Sequence, residues 1–126
     1  MKTFLLAISV AVFVLTGTCF YIHYLNNTTR EFDVSAEKIE QFSKEKDWDA
    51  CKKEVKLLKK NWNKQNSILS AFTDHAELDE IKKTINELSE CVRFREFEEA
   101  QLHTKELRIL TDRLRENEYP TIKNIL

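Results

Sequence analysis

Apolar residues change their rhythm once along this chain. Over residues 4–24 they are nearly continuous; beyond that they recur every three or four positions, the spacing that places side chains on one stripe of a helix. The strongest stripe is Trp48, Cys51, Val55, Leu58, Trp62, Gln65, Leu69 and Phe72, interrupted only by Gln65. A helix with two tryptophans on its stripe cannot leave that face in water, so the rest of the chain must cover it. Phe32, Ala36, Ile39 and Phe42 predict a shorter helix before it, running to about Lys46, with Asp47 as the N-cap of the long one. Leu78, Ile81, Ile85, Leu88 and Val92 predict a third helix, opened by Asp74 with Glu77 at capping-box spacing. Phe97, Ala100, Thr104, Leu107, Thr111 and Leu114, widened by Leu110, predict a fourth. Asn117 and Pro120 are expected to end it, and the tail 121–126, with Ile122, Ile125 and Leu126, to fold back onto the bundle.

Composition narrows the fold class. The chain has one glycine, Gly17, and one proline, Pro120, whereas hairpins and tight turns draw on those residues for their backbone angles. The part after residue 25 is therefore expected to be all-α: an antiparallel bundle of about four helices in two α-hairpins. A degenerate repeat at an offset of 49 supports the pairing, since Ile39, Trp48, Cys51 and Leu58 correspond to Leu88, Phe97, Ala100 and Leu107. The resulting units are tetratricopeptide-like, although two copies are fewer than a solenoid needs. The polar run Asn26-Asn27-Thr28-Thr29 is read as a break that divides the chain into an anchor, residues 1–25, and a bundle domain, residues 26–126.

Residues 4–24 carry no charged side chain other than a protonated His23, and 21 residues at about 1.5 Å each match a hydrocarbon core of roughly 30 Å. A single-pass transmembrane helix is expected, with Phe20, Tyr21 and Tyr24 at one interface. A cleaved signal peptide competes with this, but the apolar stretch is long for one and Thr16-Gly17-Thr18 is a poor cleavage site. A lipoprotein signal lipidated at Cys19 competes too, but Thr18 and Thr16 do not fit its motif. With only Lys2 and the amine before the apolar stretch, the N-terminus is expected in the cytoplasm and the bundle outside it.

Charge and candidate chemistry add little. All 21 acidic residues and all but one of the 20 basic ones lie after residue 25, so the bundle is nearly neutral and gives no reason to expect nucleic acid. Lys52, Lys53, Lys56, Lys59, Lys60 and Lys64 form a basic face on the long helix, read first as a solvated face and next as a contact for anionic lipid. No glycine-rich phosphate loop and no zinc spacing is present, so no cofactor is expected. His75 and Asp79, four apart and beside Asp74 and Glu77, are the one cluster of metal-ligand types, and helix capping explains its acids more simply. His103 is read as a helix-surface residue without a partner. Cys51 and Cys91 are symmetric about a corner near residue 71, which makes them a candidate disulfide; the alternative is two small buried hydrophobes.

Asp47-Trp48, Trp62, the run Asp74-His75-Ala76-Glu77-Leu78-Asp79 and the ending Lys123-Asn124-Ile125-Leu126 together resemble a family of short membrane-anchored helical proteins from spore-forming Gram-positive bacteria, grouped as a domain of unknown function. Leu78 departs from the Ile expected in that run. The resemblance implies a bacterial membrane protein with an accessory role beside other membrane proteins, and it gives the Asp-His run, especially His75, a claim to more than capping. The expected function is accordingly a non-enzymatic interaction module. Its contacts with a protein partner or a second copy of itself are expected to draw on Trp48, Trp62, Asp74, His75 and Asp79. The alternatives are a metal-dependent sensor or small enzyme centred on His75, Glu77 and Asp79, and a lipid-binding helical domain.

Overall fold

The structure, a computed structural model, describes the backbone of residues 1–125 and the side chains of residues 1–116. Its helices are α1 (Lys2–Lys44), α2 (Trp48–Leu69), α3 (His75–Arg93) and α4 (Phe97–Ile125), and no strand occurs among the described residues.

The polar run at residues 26–29 does not break the chain; α1 passes through it. Thr28 and Thr29 turn into the bundle and are buried, and the Thr29 hydroxyl donates to the Leu25 carbonyl at 2.8 Å. Hydroxyls satisfied by their own helix cost the helix little, and neither glycine nor proline is there to stop it. The apolar stretch and the first bundle helix are thus one element of 43 residues, about 65 Å long, and the chain has four helices where the sequence predicts five. Residues 1–17 of α1 are exposed on every side. From Leu25 onward one stripe is buried, through Phe32, Ala36 and Ile39 to Ser43.

Each helix packs against two others: α1 and α3 each contact both α2 and α4, but not one another, and α2 does not contact α4. Neighbours run in opposite directions. Along α1, Tyr24, Phe32 and Ile39 meet Gln65, Trp62 and Cys51 of α2, while Asp33 and Ser43 meet Arg115 and Gln101 of α4. The two faces of α1 differ in chemistry. Toward α2 the contact is aromatic, with the Phe32 and Trp62 rings 5.9 Å apart. Toward α4 it is a polar seam: the Arg115 guanidinium donates to Asp33 at 2.9 Å and the Thr111 hydroxyl to the same carboxylate at 2.7 Å. Farther along this seam the Arg108 guanidinium pairs with Glu40 at 3.4 Å, and the Gln101 amide donates to the Glu40 carbonyl at 3.1 Å.

Both hairpins begin with the same turn. At the end of α1 the Asp47 N–H donates to the Phe42 carbonyl and the Lys46 N–H to Ser43; at the end of α3 the Glu96 N–H donates to Cys91 and the Arg95 N–H to Val92. These are paired Schellman motifs. Their left-handed residues are Lys46 (φ 58°) and Arg95 (φ 56°), 49 positions apart like the rest of the repeat. Asp47 caps α2 as expected, accepting from the Ala50 N–H at 3.2 Å.

Two expectations at chain ends change. α2 stops at Leu69, so Phe72 falls in the corner and not on the stripe. α4 continues helical to Ile125, so neither Asn117 nor Pro120 ends it and residues 121–125 do not turn back. A proline inside a helix removes one hydrogen bond and bends the axis without having to end it. The side chains of Ile122, Ile125 and Leu126, expected to close onto the bundle, lie outside the described residues.

A non-glycine residue in the left-handed region costs about 1–2 kcal/mol, partly offset by the larger unfolded-state entropy of glycine. Lys46→Gly and Arg95→Gly are each expected to stabilise the protein by about 0.5–1 kcal/mol, read as a rise in urea midpoint at unchanged slope. A fall at either position would contradict the turn geometry.

Candidate functional site

An unbroken α1 gives the bundle two unlike ends. At the apolar end the corner between α2 and α3 lies beside the last turn of the apolar stretch. There the Tyr21 and Phe72 rings are 4.8 Å apart, and the Tyr21 hydroxyl lies 3.3 Å from that of Thr73. One turn on, the Tyr24 hydroxyl donates to Gln65 Oε1, which gives the polar residue on the α2 stripe its partner. At the far end, about 30 Å further along α1, lie the two left-handed turns and three aromatics. Trp48 is half-buried against the core, while Phe94 is 59 % exposed and Phe97 40 %. The Arg93 guanidinium lies over the Phe94 ring, 4.9 Å from its centre.

The other predicted contact residues divide. Trp62 is 3 % exposed and belongs to the core, so no partner can reach it. Asp74 is the N-cap of α3, accepting from the Ala76 N–H at 3.1 Å. His75 and Asp79 are exposed and Glu77 is half-buried. The metal-ligating side chains that converge among the described residues are Glu87, His103 and Glu106, not His75, Glu77 and Asp79. His75 stands in the first turn of α3, next to the corner, whereas His103 of α4 faces α3.

His103, expected on the surface without a partner, is held between two helices. Its Nδ1 lies 3.0 Å from a Glu106 oxygen and 3.5 Å from one of Glu87, with the side chain 17 % exposed. The pairing was legible by the symmetry applied to the cysteines, because 87 and 103 are equidistant from the α3–α4 turn at Arg95. Beside it runs an open groove of about 640 Å³, bounded by Asp79, Glu87, Cys91 and His103. One imidazole and two partly exposed carboxylates hold a divalent ion weakly. The role the geometry supports is an interhelical tie between α3 and α4.

Cys51 and Cys91 are both buried free thiols, not a disulfide. Symmetry about the corner places them at similar heights, but Cys51 faces α1: its thiol donates to the Ile39 carbonyl at 3.7 Å. Cys91 instead borders the groove toward α4. Burial, helped by the Asp47 carboxylate, pushes the Cys51 thiol up to about 11. Burial raises Cys91 as well, with Glu96, Glu99 and Glu87 adding to it.

The basic face of α2 stands along α1 and not across it. With Gln65 level with Tyr24 and Cys51 level with Ile39, Lys64 sits at the end of the apolar stretch, whereas Lys52 to Lys60 rise roughly 8–20 Å beyond it. That distance is equal to or greater than the screening length of about 8 Å at physiological salt.

A family model described as "Domain of unknown function (DUF4363)" matches residues 19–125, which takes in the bundle and the last turns of the apolar stretch. No curated protein and no solved structure matches the chain.

At pH 8 a thiol with a pKa of about 11 is ionised in roughly one molecule per thousand, and only the thiolate reacts. In folded full-length protein Cys51 is expected to resist a thiol reagent at pH 8 and to react at least a hundredfold faster in denaturant. Equal rates would show that the α1–α2 contact is not closed.

Proposed function

The chain belongs to the DUF4363 family, a domain of unknown function, and on that footing we propose that it is a single-pass, non-enzymatic membrane protein whose bundle offers its far end to a protein partner. The observation that carries this reading is α1. One helix supplies a segment long and apolar enough to cross a membrane, exposed on all sides, and then one wall of the bundle core. Apolar surface of that extent requires lipid around it. With the N-terminus in the cytoplasm, the bundle stands outside the bacterial cell membrane, and its far end is about 30 Å from the bilayer.

Trp48, Phe94 and Phe97 favour the far end as the contact. Aromatics exposed beside an arginine are the residue types that dominate protein interfaces. The partner is a second protein or another copy of this chain. We read the two hairpins as a closed pair and not as the start of a tetratricopeptide-like array, because α4 packs on α1 and leaves no open end for a further repeat. A lipid-binding role for the α2 lysines is disfavoured by the height of all of them but Lys64, and a metal-dependent role at His75, Glu77 and Asp79 by the exposed positions of His75 and Asp79.

A photo-crosslinking side chain placed at Phe94 or Phe97 in intact cells is expected to yield one discrete adduct. The same side chain at Lys53, on the outer face of α2, is expected to yield none. Adducts from Lys53 but not from the far end would transfer the contact to the basic face, and their absence from all three sites would sink the reading.

A further inference from the structure

The corner between α2 and α3 is built against the anchor and leaves its apolar side chains uncovered. Phe72 is 62 % exposed and Ile68 46 %, and Phe20 on the adjoining turn of α1 is 72 % exposed. The Tyr21 ring joins them, packed at 4.8 Å on Phe72, and the Tyr21–Thr73 hydroxyl contact fastens the corner to α1 at that level. Tyr21 lies three residues inside the end of the apolar stretch, so the Phe72 ring is level with a part of α1 about 4–5 Å below its polar boundary.

On the reading that residues 4–24 span the bilayer, we infer that the corner at residues 70–73 is a second membrane contact, with Phe72 and Ile68 seated in the interfacial zone beside Phe20 and Tyr21. The occupant of this surface is lipid, because the surface is continuous with the flank of α1 that lipid already covers and stands at the same depth. Tyr21, a ring with a polar edge, favours that zone, and the wholly apolar Phe72, Ile68 and Phe20 gain by leaving water for it. The corner itself, Ser70-Ala71-Phe72-Thr73, is uncharged, and Asp74 follows it at once. Insertion here is therefore apolar and does not depend on anionic headgroups. Such a contact holds α1 and the bundle at one height and limits the tilt of the bundle on its anchor.

The test uses full-length protein with Cys19, Cys51 and Cys91 replaced by alanine, the residue that the second hairpin carries at the place of Cys51. Single nitroxide labels are introduced through Phe72→Cys, Ile68→Cys, Val12→Cys and Phe94→Cys. The protein is reconstituted in phosphatidylcholine bilayers, and each label's accessibility to oxygen is compared with that to a water-soluble nickel chelate. The labels at 72 and 68 are expected to show an oxygen-to-nickel ratio several-fold above that at 94 and below that at 12, unchanged when phosphatidylglycerol is added. A ratio at 72 and 68 equal to that at 94, with 12 deep in the bilayer, would overturn this inference and leave the anchor standing. An aqueous reading at 12 would overturn the anchor and this contact together. Spin–spin broadening at 72 that disappears on dilution with unlabelled protein would show a second copy on the corner and would also overturn it. Because Phe72 and Ile68 are both exposed, neither label should disturb helix content, which circular dichroism verifies.

Discussion

Everything in this molecule is referred to one helix that does not stop. α1 is apolar on every side for its first part and amphipathic for the rest, and the change takes place within a turn or two, near Leu25, without a linker. A flexible joint would have left the orientation of the bundle open. A continuous helix fixes it: every other helix lies along an axis set by α1, so residue numbers along α1 become heights above its apolar stretch. That is why Lys52 to Lys60 of α2 stand well beyond the apolar stretch while Phe72 lies level with its last turn.

Folding the rest onto that helix required corners, and the chain makes them with almost no glycine. Two hairpins are entered through the same Schellman turn, with Lys46 and Arg95 holding the left-handed position that glycine usually takes. Their positive charge suits the negative end of each helix, a modest compensation for the strained backbone. The repeat extends into the core. Ile39 and Leu88, Cys51 and Ala100, and Leu58 and Leu107 are buried pair by pair at the same offset.

Much of this was legible in the order of residues, because burial leaves a helical period. The inward stripes of α2 and α3, the caps Asp47 and Asp74, and the repeat are all direct readings of spacing. Three things were not. The polar run at residues 26–29 looks like a break, since a sequence does not say that Thr28 and Thr29 turn inward or that the Thr29 hydroxyl bonds back to its own helix. The cysteines share a height, but which neighbour Cys51 faces depends on how helices are rotated about their axes, and spacing along one helix does not specify that. His103 was overlooked because its partner Glu87 is on another helix, where only the symmetry of the hairpin would have found it. For the candidate site the readable part is the apolar stretch and the aromatics at its end. Trp62 lies in the core, and a stripe tryptophan has the same signature there as at an interface.

The polar seam between α1 and α4 has a consequence for how the molecule assembles. The other three interfaces join consecutive helices and close over short loops, whereas Asp33 and Arg115 are 82 positions apart and meet only once α4 has been made. Contacts so distant in sequence carry the largest loop-closure cost and form late. With ion pairs and single hydrogen bonds in place of interlocked aromatics, this is also the wall that salt weakens most. α4 thus acts as a door, hung on its sequence neighbour α3 across a short turn and latched to α1 by charge.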